Sequence, residues 1–151
     1  MLSGGYDESI RIFNLQKHAE AGEFRSPSNL GTPTCSSFAP PPVSSSPSTH
    51  ALVGLTSGKI IVYRKKDWVV QHILSGHSEE KGGVSCIAVH PTGRMALSGG
   101  RGDGRIVLWD LTKGRLAFVH KLPSPGGGDT RKKMAGRDVE IGDIIWSHDG
   151  N

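Results

Sequence analysis

The strongest constraint on the fold of this chain is an internal repeat. In three places a turn rich in glycine, serine or aspartate leads into a short run of β-branched residues that closes on an aromatic residue. The aligned isoleucines are Ile10, Ile60 and Ile106, and the aligned aromatic residues are Phe13, Tyr63 and Trp109. The isoleucines are spaced by 50 and 46 residues, within the range of about 20–50 residues at which small structural units recur. We therefore expect copies of one small β unit.

A second set of matching segments lies upstream of these runs, at residues 34–40, 85–91 and 142–148. Each is short, contains β-branched or aromatic residues and ends at proline, glycine, serine or aspartate, which is typical of a strand bounded by turns. Residues 16–23 contain Gly22 and no apolar stripe, so we interpret them as a connection to a strand near Phe24. The sequence thus predicts an all-β fold.

The most complete unit runs from Gly76-His77 to Leu111 and contains three strand-like runs, an aspartate at Asp103 and the pair Trp109-Asp110. This unit resembles a WD repeat at nearly every signature position. The resemblance implies a β-propeller, in which each blade is a four-stranded antiparallel sheet. The fold class that follows is a partial WD40 β-propeller.

The resemblance also implies a structural tetrad of His77, Ser98, Asp103 and Trp109. In such a tetrad His77 bridges the Asp103 carboxylate and the Ser98 hydroxyl, and the Trp109 indole N–H donates to that hydroxyl. A single blade is small, and its buried polar groups must be paired. Loss of one member would leave the others buried and unpaired, at a cost of about 1–3 kcal/mol.

The other two units depart from the WD signature. The first keeps Asp7 but carries Phe13-Asn14 in place of Trp-Asp. The second has Ser57 at the aspartate position, Tyr63-Arg64 in place of Trp-Asp, and Gly31 without a following histidine. These units are expected to depend on packing rather than on a tetrad.

Two longer segments are similar to a particular family. Residues 2–13 and residues 90–119, which include the step Gly114-Arg115-Leu116-Ala117-Phe118, resemble the PAK-interacting WD-repeat proteins, nucleolar assembly factors of the large ribosomal subunit. The resemblance implies a non-catalytic scaffold in the nucleus and nucleolus that binds protein partners in pre-ribosomal particles. The alternative implied by the same family is a regulator that binds and inhibits a p21-activated-type protein kinase. Nucleolar or cytoplasmic location distinguishes the two.

Turn positions suggest how the chain is organised. The expected segments are a partial blade at 1–24, a second blade at 25–75 with a Pro/Ser-rich insertion at 39–49, the best-formed blade at 76–122, a flexible basic Gly-rich loop at 123–138, and the start of the next blade at 139–151. This amounts to about two and a half to three blades, whereas propellers close with about four to eight. We therefore expect a fragment of a longer protein or an incomplete gene model.

Two basic segments are candidate contacts for a protein partner or for ribosomal RNA. The first comprises Arg131, Lys132, Lys133 and Arg137 in the Gly-rich loop, and the second comprises Arg64, Lys65 and Lys66 beside Trp68. Lysine and arginine neutralise phosphates, and an aromatic ring can stack a base. The alternatives are a solvated linker for the first segment, and ordinary surface charge with a packed Trp68 for the second.

Composition and motifs offer little support for an enzyme. The net charge of +4 permits contact with a polyanion without requiring it. Ser98, His77 and Asp103 could in principle form a nucleophilic triad, but their place in the repeat signature predicts burial away from any cleft. Cys35 and Cys86 lack Cys-x-x-Cys spacing and are expected to be reduced, buried thiols. We expect no cofactor, no metal, no small-molecule substrate and no membrane association.

Overall fold

The chain is all-β, as the sequence predicts. The computed structural model describes residues 1–25, 27, 30–40, 50–123, 139–147 and 150. In these residues the chain forms three antiparallel sheets of three, four and four strands, and no helix. This arrangement is that of a partial WD40 propeller. No helix in the described ranges is therefore available to cross a membrane.

Each sheet is a meander whose strands follow chain order. The first sheet contains β1 (Leu2–Gly4), β2 (Ser9–Asn14) and β3 (Ala19–Arg25). The second contains β4 (Pro33–Phe38), β5 (His50–Leu55), β6 (Lys59–Arg64) and β7 (Val69–Ser75). The third contains β8 (Val84–Val89), β9 (Met95–Gly100), β10 (Arg105–Asp110) and β11 (Arg115–Lys121). In the two four-stranded sheets, β4 and β8 form one edge, and β7 and β11 form the other.

Strand β3 begins earlier than its sequence suggests. The interpretation of residues 16–23 as a connection was wrong from Ala19 onward, because only residues 15–18 form the turn and the strand follows at once. The strand lies at the edge of its sheet and is held by backbone pairing with β2. Glu20, Ala21 and Glu23 are exposed. A solvated edge strand needs no apolar pattern, so the sequence carried little signal for it.

Strand pairing places the three aligned isoleucines at equivalent positions. Ile10 lies opposite Gly4, Ile60 opposite Gly54, and Ile106 opposite Gly99. The three sheets therefore share one register, and the alignment of the repeats in the sequence is also an alignment in space. Each pair joins strands that flank the short turn between β1 and β2, β5 and β6, or β9 and β10.

The three sheets also share an irregularity in the outer strand. In each pairing of the last two strands the register shifts by one residue just before the aromatic position. The residues skipped by this β-bulge are Ala21, Gln71 and Ala117. A bulge at the same place in each copy is a feature of the unit rather than a local defect.

The core consists of two apolar layers, one on each side of the second sheet. In the first layer Ile10 of β2 packs against alternate residues of the second sheet, which are Ala51, Val53, Leu55, Ile61 and Tyr63. In the second layer Leu52, Ile60 and Val62 of the second sheet pack against residues of the third, including Val107 and Trp109. Both faces of β5 and β6 are thus buried, which explains why these strands are nearly continuous runs of apolar residues.

Neighbouring units are also joined by a repeated side-chain hydrogen bond. The Thr34 hydroxyl of β4 donates to the Val84 carbonyl of β8 at 2.6 Å. The Ser85 hydroxyl of β8 donates to the Ile141 carbonyl at 2.5 Å. Thr34 and Ser85 are equivalent in the sequence alignment, so residues 139–147 lie against β8 much as β8 lies against β4. The Trp146 indole N–H also donates to the Ala88 carbonyl at 3.1 Å.

The segments expected from the sequence fall only partly within the described ranges. Residues 41–49 of the Pro/Ser-rich insertion and residues 124–138 of the basic loop lie outside them. Residues 139–147 form an isolated bridge between Val139 and Asp103 and no further strand. The expected strand at 142–147 is therefore absent, since no neighbouring strand pairs with it in the described chain. The division into blades remains a prediction.

Candidate functional site

The four residues implied by the WD resemblance lie close together in space. Ser98 lies in β9 and Trp109 in β10, whereas Asp103 lies between these strands and His77 between β7 and β8. His77 Nδ1 is 3.0 Å from Asp103 Oδ2, and His77 Nε2 is 2.7 Å from the Ser98 hydroxyl. The Trp109 indole N–H donates to the same hydroxyl at 2.8 Å. Ser98 is fully buried and Trp109 almost so. These residues form one continuous chain of hydrogen bonds.

The donors in this chain are fixed by their neighbours. Both carboxyl oxygens of Asp103 act as acceptors, since Oδ2 accepts the backbone N–H of Ser78 and Oδ1 that of Arg105. His77 Nδ1–H therefore donates to Asp103, and Nε2 is left to accept the Ser98 hydroxyl proton. The hydroxyl in turn accepts from Trp109, so every polar atom in the chain is paired.

The same geometry argues against a nucleophilic triad. Ser98 has no exposed surface, and its oxygen already accepts a hydrogen bond from Trp109. A catalytic serine must reach a substrate and face donors that stabilise an oxyanion. Burial lowers the pKa of His77, although the Asp103 carboxylate opposes this shift. A ring held neutral in a closed site fits a structural role.

The sequence did not show that the packing of the tetrad requires two neighbouring glycines. A Cβ atom at Gly76 would lie 2.7 Å from the Trp109 ring, and one at Gly100 would lie 2.7 Å from His77 Nδ1. Both positions thus require the absence of a side chain. The signal available in the sequence was the glycine before His77 and the second glycine of the Ser98-Gly99-Gly100 run.

The other two units keep only parts of this arrangement. Asp7 Oδ1 accepts the backbone N–H and the hydroxyl of Ser9, at 3.2 and 2.7 Å. These bonds lower the pKa of Asp7. Ser57 occupies the Asp103 position, and within the described ranges its buried hydroxyl has no hydrogen-bond partner. Tyr63 stands at the position equivalent to Trp109, and its side chain lies in the first apolar layer. Burial raises the pKa of Tyr63 to about 12.

The second basic segment lies in the turn between β6 and β7, and its charges differ in their surroundings. Arg64 makes a bidentate ion pair with Asp67, with N–O distances of 2.9 and 2.5 Å. This pair lowers the pKa of Asp67 and raises that of Arg64. Lys65 Nζ lies 5.6 Å from the centre of the Phe38 ring, while Lys66 is exposed.

Trp68, in the same turn, packs against the first apolar layer, so one side of its ring is covered. The first basic segment, Arg131, Lys132, Lys133 and Arg137, lies outside the described residues. Partner or RNA contact by either segment remains a prediction.

The described residues contain no cluster of three or more His, Cys, Asp or Glu side chains able to hold a metal ion. Cys35 and Cys86 are both free thiols. Burial raises the pKa of Cys35 to about 11, so its thiol is protonated and unreactive at neutral pH.

Part of the chain matches a known protein family. The "WD domain, G-beta repeat" family matches residues 68–110, the segment that contains the tetrad. The chain therefore contains a WD repeat at residues 68–110. This assignment agrees with the fold and with the tetrad geometry.

The chain is also similar to named proteins of several species. It is 34% identical to p21-activated protein kinase-interacting protein 1-like of Xenopus laevis over 122 residues, an alignment that covers 81% of the chain and 30% of the relative. It is 29% identical to Shk1 kinase-binding protein 15 of Schizosaccharomyces pombe, over 81% of the chain and 33% of the relative. It is 37% identical over 107 residues to Protein MAK11 of Saccharomyces cerevisiae, over 65% of the chain and 25% of the relative. The chain spans about a third of the length of such relatives.

Proposed function

We propose that this WD-repeat protein is a non-catalytic scaffold in the nucleolar assembly of the large ribosomal subunit. The non-catalytic part rests on the tetrad, in which Ser98, His77 and Asp103 are hydrogen-bonded in a continuous chain and Ser98 also accepts a hydrogen bond from Trp109. Catalytic side chains would have to face a cleft. The nucleolar part rests on the resemblance of residues 2–13 and 90–119 to the PAK-interacting WD-repeat proteins.

Within this proposal, the partners are proteins of pre-ribosomal particles, and basic segments of the chain contact ribosomal RNA. The RNA contact is assigned to Arg131, Lys132, Lys133 and Arg137, which carry four positive charges within seven residues. Each phosphate that such a residue neutralises releases counterions and steepens the dependence of binding on salt.

Depletion of the protein tests this proposal. We expect nucleolar localisation of the tagged protein, and a fall in free large ribosomal subunits with accumulation of their precursor RNA when it is removed. Re-expression should restore the subunits. Unchanged large-subunit levels after depletion would contradict the assembly role.

The RNA contact has its own test. Reversal of the four charges from Arg131 to Arg137 should weaken rescue and reduce the salt dependence of RNA binding, by about 0.7 to 0.9 of slope for each lost phosphate contact. The matched control reverses four cations among the described residues, Lys59, Arg105, Lys113 and Lys121. Equal loss in both variants would mean that overall charge, rather than this segment, matters.

A second candidate function is binding of a p21-activated-type kinase, with inhibition of its activity. The names of two relatives favour it, since one is called kinase-interacting and the other kinase-binding. The expected results are cytoplasmic localisation, co-purification with the kinase and a lower rate of substrate phosphorylation when the purified chain is added. A kinase rate that does not change across a titration of the chain would exclude inhibition.

A further inference from the structure

A groove runs between the first and second sheets, on the side where the β2–β3 and β6–β7 turns lie. Its volume is about 750 Å³, and its walls come from both sheets. The residues that matter for its chemistry are Ile12, Leu15, Ala21, Phe38, Lys65 and Trp68. Leu15 is 64% exposed and lies beside other apolar side chains of the groove. The groove is thus largely apolar and open to solvent.

One lining residue of this groove is smaller than its equivalent in a neighbouring groove. A second groove lies in the equivalent place between the second and third sheets and has a volume of only about 400 Å³. The bulge residue that lines the larger groove is Ala21, whereas the equivalent residue in the smaller one is Gln71. The short side chain of Ala21 leaves space that a glutamine occupies in the next unit.

Trp68, in the wall of the groove, has a left-handed backbone conformation. Its φ is +57°, and the residues at the equivalent turn position, His18 and Gly114, have φ values of +50° and +62°. The turn therefore demands the left-handed conformation, which glycine adopts freely and a bulky side chain does not. A tryptophan at this position keeps an aromatic wall where glycine would relax the turn.

The rim of the groove is positively charged. Lys65 lines the wall, and Lys66 and Lys17 are exposed in the two adjoining turns. Two acidic residues lie near this rim. Asp67 is paired with Arg64, and Glu20, near the start of β3, is exposed. Negative charge brought to this rim would be attracted by the lysines.

We infer that the groove binds a peptide segment of a protein partner, in which an apolar side chain is flanked by aspartate or glutamate. This inference rests on the proposed role as a protein-binding scaffold and names the chemistry of one partner. The apolar side chain enters between Ala21 and Phe38, and the flanking carboxylates face Lys65 and Lys66. Buried apolar anchors with a polar rim are the usual energetic arrangement of such interfaces.

The walls fit a peptide better than a nucleic acid. Base stacking needs an open aromatic face, but Lys65 lies over the Phe38 ring and Trp68 is packed against the first apolar layer. Leu15 and Ala21 offer exposed aliphatic surface, which suits a leucine, isoleucine or phenylalanine side chain.

The test is a selection of short random peptides displayed on phage against the full chain. We expect the recovered peptides to be enriched in acidic residues around an apolar one. The leading synthetic peptide, followed by fluorescence anisotropy, should bind about tenfold more weakly to the Ala21→Gln variant, which places in this groove the side chain found in the smaller one. A similar loss is expected for Lys65→Glu.

Two matched variants serve as controls. Ala117→Gln makes the same change at the equivalent bulge of the third sheet, and Lys121→Glu reverses an exposed charge at the end of β11. Both should bind the peptide as the parent chain does, and circular dichroism should show that all four variants fold. Selected peptides without acidic enrichment, or binding that is insensitive to Ala21→Gln, would overturn the inference.

Oligouridine is tested in the same assay. Its binding, if lost in Ala21→Gln while peptides fail to bind, would assign the groove to RNA and overturn the inference. If the peptide test fails while nucleolar function is intact, only the assignment of the groove is contradicted. Unchanged large-subunit levels after depletion would instead contradict the proposed function. The two failures are therefore distinguishable.

Discussion

At the scale of single residues, two serines at different positions of the repeat show how the effect of a buried hydroxyl depends on its partners. Ser98 of the third repeat is fully buried, and the hydroxyl oxygen of Ser57 in the second repeat is buried as well. Ser98 links Trp109 to His77, whereas no partner of the Ser57 hydroxyl lies in the described ranges. A buried hydroxyl that is paired stabilises the fold, and one that is unpaired costs free energy.

The Ser98→Ala variant should lower the free energy of unfolding by about 1–3 kcal/mol, because His77 Nε2 and the Trp109 N–H lose their common partner. The matched Ser57→Ala variant should be neutral or slightly stabilising. Urea denaturation of both variants measures the two effects. Equal destabilisation would show that the tetrad adds nothing beyond packing.

His77 should make stability depend on pH. Burial holds its pKa below the ordinary value of 6.5 against the opposing Asp103 carboxylate, and Arg105 adds to the lowering. Below about pH 6.5 the unfolded chain therefore binds more protons than the native chain, so the free energy of unfolding falls as the pH drops. Thermal denaturation across this range should give a steeper pH dependence for the parent chain than for His77→Gln. Parallel curves would contradict this expectation.

At the scale of elements, the sheets are held in register by small residues where one unit meets the next. The glycines opposite the aligned isoleucines leave space for the first strand of the following unit. A Cβ atom at Gly54 would lie 2.6 Å from Cys35 Sγ and 2.8 Å from Val84 Cγ1, and one at Gly99 would lie 2.7 Å from Ile141 Cγ2. Close packing of units thus depends on missing side chains as much as on apolar ones.

The Gly54→Ala variant should destabilise the chain by about 1–3 kcal/mol, because the added methyl group has to displace atoms on both sides of it. The control is Gly22→Ala in edge strand β3, where an added Cβ atom would have nothing within 4 Å. That change should alter stability by no more than about 0.5 kcal/mol. The denaturant midpoints of the two variants measure this difference in stability. A Gly54→Ala variant as stable as the parent chain would show that the interface between units accommodates the added methyl group without cost.

At the scale of the whole molecule, apolar burial is concentrated in the second sheet. Its strands β5 and β6 are buried on both faces by the two apolar layers. Strand β11 is an edge strand whose seven residues are all exposed. Local opening should therefore cost most in the second sheet and least at β11, since buried contacts oppose it.

Hydrogen exchange followed by mass spectrometry should show this gradient. Backbone amides of residues 50–64 are expected to exchange most slowly, and those of residues 115–121 most rapidly among the strands of the two four-stranded sheets. Uniform exchange rates across the three sheets would mean that the units open together. The gradient follows from burial, because the pairing within each sheet is otherwise similar.

The sequence by itself determined the repeat and the strands of its aligned segments, because a spacing of 46 to 50 residues, β-branched runs and local turn residues can all be read along the chain. The members of the tetrad were implied by the resemblance to a WD repeat. The sequence did not predict that β3 begins at Ala19, because the exposed residues of this strand carry no apolar pattern. It also predicted a strand at residues 142–148, and the described residues 142–147 form none. Only the tertiary structure decided that Ala21, Phe38 and Trp68 meet in one groove and that Arg64 is occupied by Asp67. These features depend on contacts between different strands and turns, and the side-chain types alone do not specify which strands meet.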